Sequence, residues 1–333
     1  MRMDVKTAAG SYTITLEHGL LNRISDFIPK GKQVFLISDD GVPEQWRDIV
    51  HRQFPGQQLY VIPQGERSKS FTMLQKVLAA MLEAHLSRQD VVLALGGGVV
   101  GDLSGFAASV YMRGIEWINV PTTMLAMVDS SIGGKTAIDF NGVKNSVGAF
   151  WQPKAVLIDP DVLSSLRPRL LSEGLAEAVK TGLIRDPQLF EIFEKEDWQN
   201  HLDEIIERSL AVKKAIVEAD EKESGERKLL NFGHTFGHAY ESLSEGALLH
   251  GEAVSIGMMT ILENDAIRRR LEKVLRRLHL PETYEADPSA VYARIRNDKK
   301  ASHESISIVQ VPEIGKGTIE TWTMAQVKEK LGL

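Results

Sequence analysis

The fold class of this chain is indicated most clearly by the stretch Val91-Val-Leu-Ala-Leu95-Gly96-Gly-Gly98-Val-Val-Gly101-Asp102. A short apolar run that ends in glycines predicts a buried strand that turns into a helix. Its glycines match G-x-G-x-x-G, a pattern whose backbone amides can surround a pyrophosphate. The pattern is weak by itself, because a tight turn can also require glycines. The stretch therefore predicts either a nucleotide site or a bare strand-to-helix turn.

Similar apolar runs, separated by helical patterns, occupy the rest of the first half at Val34–Ser38, Leu59–Ile62 and Ile115–Val120. Such alternation predicts an α/β domain with a parallel sheet. The glycine turn follows at least two of these runs, whereas the dinucleotide fingerprint usually opens its fold. We therefore predict a nucleotide site whose topology differs from the standard Rossmann one.

Charged residues follow two of the predicted strands, on the side of the sheet where ligands of α/β folds bind. Asp39 and Asp40 end the first strand, where an acid can bind a ribose hydroxyl or start a turn. Glu66 and Lys69 lie in a polar loop after the second strand. Glu66 can alternatively cap a helix that begins near Ser68.

The second half has amphipathic segments of helical spacing over roughly Pro168–Glu194, His201–Ala219, Phe232–Leu243, Glu252–Leu280 and Pro288–Asn297. A short β pair is predicted at Ser305–Val311 and Gly317–Thr321. We predict two domains, an α/β nucleotide-binding domain over residues 1–160 and a mainly helical metal-binding domain over residues 161–333. Sites in both domains would place the chemistry in the cleft between them.

Three histidines of the second half, His234, His238 and His250, lie close together in the sequence. His234 and His238 share one helical face, and His250 can return from a following turn. Glu177 on an earlier predicted helix can add a carboxylate, which would leave the open position of a catalytic zinc site. The alternatives are a surface ion pair of Glu177 with Lys180 and ordinary hydrogen-bonded histidines.

Composition narrows the possible classes of protein. The net charge of −6 argues against a nucleic-acid binder, whose surface would be basic. No apolar run is long enough to cross a bilayer, and the N-terminal residues lack the apolar core of a signal peptide. We therefore expect a cytoplasmic protein with no membrane partner. Without cysteine there is neither a disulfide nor a thiolate metal site.

A dense polar stretch from Pro121 to Asn145 predicts a ligand-handling loop. Gly133 and Gly134 permit tight turns there, while Lys135, Lys144 and Asn145 can hold phosphate oxygens. Further basic groups lie at Lys213, Arg227 and the run Asp298-Lys299-Lys300. Together with a metal and a nucleotide, these groups would suit a substrate that carries both a carboxylate and a phosphate.

Taken together, these motifs resemble the 3-dehydroquinate synthase family. The resemblance runs in one order from about residue 35 to 312 and is carried by Gly96–Asp102, Pro121-Thr-Thr, Asp129-Ser-Ser-Ile-Gly-Gly-Lys135, Lys144-Asn145, Ala176-Glu177, Arg227–Ala239 and His250-Gly-Glu-Ala. It implies a lyase of the shikimate pathway that uses NAD and a divalent metal, zinc or cobalt. The implied substrate is 3-deoxy-D-arabino-heptulosonate 7-phosphate (DAHP), which becomes 3-dehydroquinate and phosphate.

The resemblance also implies a role for each matching residue. Glu177, His234 and His250 would hold the metal, which moves His238 from the metal to the substrate phosphate. The other implied catalytic and substrate contacts are Arg113, Asp129, Lys135, Asn145, Lys180, Lys213, Arg227, Asn231 and one lysine of Asp298-Lys299-Lys300, with Lys299 favoured. Arg113 would reach across a homodimer interface. The implied NAD contacts are Asp39, Glu66, Lys69, Gly97, Gly98, Asp102, Thr122, Thr123 and Lys144.

The implied reaction is an internal redox cycle, in which NAD takes a hydride, phosphate leaves, the hydride returns and an aldol step closes the ring. The substrate phosphate can serve as the base, which would explain a site rich in phosphate holders without an obvious general base. Two rival functions stay open. Another sugar phosphate cyclase, such as a 2-deoxy-scyllo-inosose synthase, would not need the carboxylate contacts, and a metal-dependent polyol dehydrogenase would not need the phosphate contacts.

Overall fold

A computed structural model describes residues 1–223, 225–297 and 305–333, and the chain forms two compact units, Met1–Arg167 and Pro168–Leu333. The division lies shortly after the boundary predicted at residue 160, because Pro160–Ser165 is a 3-10 turn at the end of the first unit. No helix in the described ranges is long and apolar enough to cross a membrane.

The first unit alternates strands with helices. Its strands are β1 (Arg2–Thr7), β2 (Gly10–Leu16), β3 (Val34–Asp39), β4 (Gln58–Ile62), β5 (Val91–Gly96), β6 (Glu116–Pro121), β7 (Lys135–Phe140), β8 (Val143–Phe150) and β9 (Ala155–Ile158). Its helices are α1 (Glu44–His51), α2 (Phe71–Glu83) and α3 (Gly98–Val110), and short 3-10 turns occur at Leu20–Phe27, Glu66–Ser68 and Tyr111–Arg113.

Seven of these strands form one sheet in the order β1-β2-β9-β6-β5-β3-β4. β1 and β2 pair antiparallel, and the remaining neighbours run parallel, so the predicted α/β class is confirmed. β3 and β5 are buried along their whole length, which explains their continuous apolar sequences. The hairpin of β1 and β2 was not predicted, although Tyr12, Ile14 and Leu16 alternate toward the core.

The loop predicted over Pro121–Asn145 is wrong in its second part. Ala126–Ser130 is a single π-helical turn, and β7 and β8 then pair as an antiparallel hairpin. Asn141 and Gly142 connect these strands with φ values of 50° and 77°, as a two-residue hairpin turn requires. The hairpin packs closely on α3, since a Cβ at Gly105 would lie 2.4 Å from Thr136 Cγ2.

The second unit is mainly helical, as predicted. It contains α4 (Pro168–Ile184), α5 (Pro187–Glu194), α6 (Leu202–Ala219), α7 (His234–Leu243), α8 (His250–Ile261), α9 (Asp265–Arg277), α10 (Pro288–Arg296), the antiparallel pair β10 (Ser305–Glu313) and β11 (Lys316–Thr323), and α11 (Met324–Lys330). Two predicted helices are each two helices, because Asp186 and Asn264 act as N-caps within them.

Candidate active site

The glycine turn joins the carboxyl end of β5 to the first turn of α3. Gly97 is the N-cap of α3, and Cβ atoms at Gly97 and Gly98 would lie 3.0 Å from Thr123 Cγ2 and 3.2 Å from Ser130 Oγ. The amide of Thr122 donates to the Gly96 carbonyl at 2.9 Å. Glycine at both positions therefore permits close packing. The first amides of α3 have no intrahelical partner, which suits an anion.

Lys69 is buried among acids from the same region. Its Nζ lies 2.8 Å from Asp102 Oδ2 and 3.2 Å from Glu66 Oε1, and it also donates to Asn145 Oδ1. Burial alone would lower the pKa of Lys69, but Asp102 and Glu66 outweigh that effect and raise it. The structure thus brings two predicted NAD contacts, Glu66 and Asp102, together around a third, the charged Lys69.

Asp39 and Asp40 hold backbone amides after β3. Asp39 Oδ1 accepts hydrogen bonds from Gly41 and Val42 at 2.9 and 3.0 Å, and Asp40 Oδ1 accepts one from Gln64 at 2.7 Å. The turn role that the sequence left open is therefore present, and the ribose contact of Asp39 stays a prediction. The alternative cap at Glu66 is wrong, because α2 begins at Phe71 with Ser70 as its N-cap.

The other predicted contacts of the first unit lie in surface turns and the hairpin. Asp129 is half-buried in the π-helical turn, while Lys135, Lys144 and Asn145 are exposed on β7 and β8. Arg113 is also exposed, within a turn in which Met112, Arg113 and Gly114 have φ values of 48°, 68° and 116°. Two consecutive non-glycine residues with positive φ are unusual, so the backbone of this turn is strained.

Glu177 lies at the centre of a buried charged cluster in the second unit. Glu177 and Lys180 are each 1% exposed, and Lys180 Nζ donates to Glu177 Oε2. The other oxygen, Oε1, lies 3.4 Å from Nε2 of both His234 and His250 and has no hydrogen-bond partner within the described part of the chain. The surface ion pair considered for Glu177 and Lys180 is therefore wrong, since both side chains are inside.

Glycines let α4, α7 and α8 approach closely enough for these contacts. A Cβ at Gly251 would lie 1.9 Å from the Glu173 carbonyl oxygen, and one at Gly257 would lie 1.9 Å from that of Gly233. Arg169 also bonds both carboxylate oxygens of Glu252, at 2.6 and 2.7 Å, which ties the start of α4 to the start of α8. This backbone packing fixes where the first residues of α7 and α8, His234 and His250, meet Glu177.

Both histidines are oriented to bind a cation near Glu177 Oε1. Nδ1 of His234 lies 3.1 Å from the Phe232 carbonyl oxygen, and Nδ1 of His250 lies 3.3 Å from Glu241 Oε2. Donation from Nδ1 directs each Nε2 toward Glu177 Oε1, and an Nε2 that carries no proton can bind a metal, the usual arrangement of metal-binding histidines. An unpartnered buried carboxylate oxygen beside two such nitrogens fits a divalent ion such as zinc or cobalt.

The charges of the cluster agree with that fit. Burial holds the pKa of His234 well below its ordinary value, which keeps this imidazole neutral. Burial also lowers the pKa of His250, but the neighbouring carboxylates of Glu177 and Glu241 outweigh burial and raise it to about 10. The carboxylates around His250 therefore favour positive charge at this point, which a bound cation would supply in place of the Nε2 proton.

His238 supplies a third imidazole at the edge of this cluster. One ring nitrogen each from His234, His238 and His250 lies within 4.8 Å of the others, so the grouping of three histidines is geometrically possible. His238 is exposed, however, and its ring lies 5.2 Å from that of His234. The unpartnered Oε1 favours Glu177, together with His234 and His250, as the third metal ligand. His238 is then not needed as a ligand.

The predicted carboxylate contacts lie on α6 and in the 3-10 turn Glu226–Asn231. Lys213 and Arg227 are buried, and Asn231 Nδ2 donates to Glu223 Oε1 at 2.7 Å. Glu223 was not predicted, because a glutamate in a run of charged residues usually indicates solvated charge. Lys299, like the whole Asp298-Lys299-Lys300 run, lies outside the described residues.

Two family models match consecutive parts of the chain, 3-dehydroquinate synthase N-terminal over residues 59–173 and 3-dehydroquinate synthase C-terminal over residues 174–301. The 3-dehydroquinate synthase of Latilactobacillus sakei subsp. sakei is 41% identical over 99% of this chain and 97% of its own length. That of Clostridium beijerinckii is 38% identical over 95% of this chain and 96% of its own length.

Solved structures share the fold. A 2-deoxy-scyllo-inosose synthase complexed with carbaglucose-6-phosphate, NAD+ and Co2+ has a TM-score of 0.88 at 23% identity and covers 99% of both chains. ValA, a 2-epi-5-epi-valiolone synthase from Streptomyces hygroscopicus subsp. jinggangensis with NAD+ and Zn2+ bound, has a TM-score of 0.85 at 27% identity and covers 96% of this chain and 95% of that chain. These matches confirm the resemblance found in the sequence, and the chain belongs to the 3-dehydroquinate synthase family.

Proposed function

We propose that the protein is an NAD- and metal-dependent lyase that converts DAHP into 3-dehydroquinate and inorganic phosphate. The observation that carries this proposal is the approach of Glu177 Oε1 to Nε2 of both His234 and His250 at 3.4 Å, in a chain of this family. Such a cluster is built for a cation, and the substrate of the family offers adjacent hydroxyls to it.

Glu177, His234 and His250 would hold the divalent ion, zinc or cobalt, which when bound acidifies a coordinated hydroxyl. Glu241 beside His250 Nδ1 holds that ring in the orientation the site needs. Lys180 neutralises one oxygen of Glu177. We assign Lys180 and Asp129 to orient the substrate hydroxyls.

NAD would bind at the glycine turn, and its chemistry when bound is to accept a hydride and return it within one turnover. The amides after Gly97 and Gly98 suit its pyrophosphate. The remaining proposed contacts are Asp39, Glu66, Lys69, Asp102, Thr122, Thr123 and Lys144. The ValA structure, a relative at 27% identity, holds both NAD+ and Zn2+, which supports the same pair here.

The substrate anions would be held by two groups of donors. We assign Lys135, Asn145, His238 and Lys299 to the phosphate, and Lys213, Arg227 and Asn231 to the carboxylate and a hydroxyl. Because these groups, His238 included, are assigned to hold the substrate anions, we assign the proton transfer to the departing phosphate itself. Positioning and electrostatics would then supply much of the catalysis.

We also propose a cytoplasmic homodimer in which Arg113 reaches the phosphate site of the other subunit. The exposed position of Arg113, in a turn with unusual positive φ values, supports this assignment. Mixing Arg113→Ala subunits with His250→Ala subunits should restore activity, because some mixed dimers would contain one complete site. Sedimentation as a monomer, or mixtures as inactive as their components, would contradict the proposal.

Substrate competition tests the function. The protein, loaded with Zn2+ or Co2+ and NAD, is given DAHP or glucose 6-phosphate, and phosphate release is measured. We expect release from DAHP, and Arg227→Met should lower kcat/KM for DAHP whereas Lys195→Met, at an exposed position, should not. Phosphate release from glucose 6-phosphate alone would instead favour the 2-deoxy-scyllo-inosose synthase reaction, whose substrate lacks the carboxylate.

A further inference from the structure

Lys69 contacts Asn145, one of the residues assigned above to the substrate phosphate. It also contacts Asp102 and Glu66, two acids among the proposed NAD contacts. Its side chain is 4% exposed, and Nζ bonds both Asp102 Oδ2 and Asn145 Oδ1. We propose that Lys69 is a positioning residue that fixes the Asn145 side-chain amide so that its NH2 group faces the substrate phosphate. This inference rests on the function proposed above and deepens it.

The orientation of the Asn145 amide follows from the chemistry of its partner. A lysine ammonium has three donors and no acceptor, so the Asn145 atom that faces Nζ must be Oδ1. Nδ2, with its two donors, is then turned away from Lys69. Because Asn145 is exposed, these donors are accessible to an anion in solution.

Backbone contacts hold Asn145 against Lys69 from a second direction. The Lys69 carbonyl accepts the Asp139 amide at 2.9 Å, and Asp139 Oδ1 accepts the Asn145 amide at 2.8 Å. Asn145 has a φ of 52°, a left-handed conformation that asparagine tolerates better than most residues. The side chain and the backbone of Lys69 therefore both locate the hairpin position that carries the amide.

Lys69 keeps its hydrogen bond to Asn145 Oδ1 because its ammonium group stays charged. A buried ammonium needs compensating charge, which Asp102 supplies at 2.8 Å and Glu66 at 3.2 Å. Burial opposes the charge of Lys69, yet these carboxylates raise its pKa, so the ammonium persists at neutral pH. Asp102 lies on α3, directly after the glycine turn, and Asn145 is thus held relative to the cofactor loop.

A double-mutant cycle tests the inference, with inorganic phosphate titrated calorimetrically into the metal-loaded, NAD-saturated protein. Lys69→Met and Asn145→Ala should each weaken phosphate binding about tenfold, as expected for a lost charge-assisted hydrogen bond. The double variant should be no weaker than either, because both changes remove one interaction. In turnover, Lys69→Met should raise KM for DAHP more than it lowers kcat. Lys76→Met, which removes an exposed cation from α2, is the matched control and should bind phosphate like the parent.

Lys69→Met leaves Asp102 without its buried partner, which can prevent folding. Asn145→Asp therefore provides a second test that keeps Lys69 in place. The aspartate keeps an oxygen for Lys69 but replaces the NH2 donors with negative charge. Its stability in urea should match or exceed that of the parent, while phosphate binding should be lost. Additive effects in the cycle, parental phosphate affinity in Asn145→Asp, or no phosphate binding by the parent would overturn the inference. Intact coupling in a protein that does not act on DAHP would contradict the proposed function alone.

Discussion

Glu177 is held by two kinds of partner, one at each carboxylate oxygen. Lys180 donates to Oε2, and Oε1 lies 3.4 Å from two imidazole nitrogens. Burial would raise the pKa of Glu177, but Lys180 and His234 hold it well below its ordinary value. The carboxylate is therefore charged at neutral pH. A neutral residue of the same shape at this position should lose most of the metal binding.

Glu177→Gln should weaken zinc binding more than about 100-fold. Loss of a residue that only hydrogen-bonds a metal ligand already lowers metal affinity by about 10- to 100-fold. Titration against a chelating dye measures this affinity. His250→Ala should behave alike, whereas Glu191→Gln at an exposed position on α5 should bind zinc like the parent. Full activity after thorough chelation, or unchanged zinc affinity in Glu177→Gln, would contradict the assignment.

Residue roles were predictable where a motif specifies them and not where one side chain suits two tasks. Glu177, His234 and His250 were identified from their motifs, and the structure brings them together. Asp39 after a strand suits a turn or a ribose equally well, and only its bonds to Gly41 and Val42 show the turn. Glu223 was missed because no local sequence pattern predicts its hydrogen bond with Asn231.

Elements were predictable in proportion to their burial. β3 and β5 are buried throughout and have uninterrupted apolar sequences, whereas β8 is exposed or half-buried along its length and shows little alternation. The hairpin was therefore predicted as a loop. The dipeptide Asn141-Gly142 was the signal that could have found it, because this pair favours a two-residue hairpin turn.

Gly142→Val tests how much this turn matters. The φ of Gly142 is 77° and no atom lies within 4 Å of a Cβ built there, so the cost comes from backbone conformation. Urea denaturation should show a loss of about 1–2 kcal/mol. KM for DAHP should also rise, because the hairpin carries Lys135 and Asn145. Gly142→Asn is the matched control and should lose less, and equal stability of valine and asparagine variants would contradict this account.

Gly257→Ala tests the contact between α7 and α8. A Cβ there would lie 1.9 Å from the Gly233 carbonyl oxygen, so the two helices would have to move apart. We expect a loss of stability of about 1–3 kcal/mol from overpacking, measured in urea. Zinc affinity should fall as well, because α8 carries His250. A variant with parental zinc affinity would show that helix packing does not position the ligands.

At the scale of the whole molecule, the chain keeps the two sets of cofactor residues in separate compact units. The proposed NAD contacts belong to Met1–Arg167 and the proposed metal ligands to Pro168–Leu333. The sheet order could not be predicted, because hydrophobic periodicity identifies strands without identifying their neighbours. β2 pairs with β9, for example, from the opposite end of the first unit.

Separate ligand sets predict separate protection by each ligand. At 100 times its dissociation constant, a ligand stabilises its site by about 2.7 kcal/mol. Hydrogen exchange should therefore slow in α4, α7 and α8 when Zn2+ alone is added, and in the turn between β5 and α3 when NAD alone is added. If Zn2+ alone slowed hydrogen exchange around the glycine turn but left exchange around Glu177 unchanged, the assignment of the metal to the second unit would be contradicted.

The internal redox cycle proposed for DAHP can be followed in one experiment. Metal-loaded protein, NAD and DAHP are followed in a single cuvette for inorganic phosphate and for NADH absorbance. We expect stoichiometric phosphate release without accumulating NADH. Steady growth of NADH would make the protein a dehydrogenase, and the absence of both signals would exclude DAHP as the substrate.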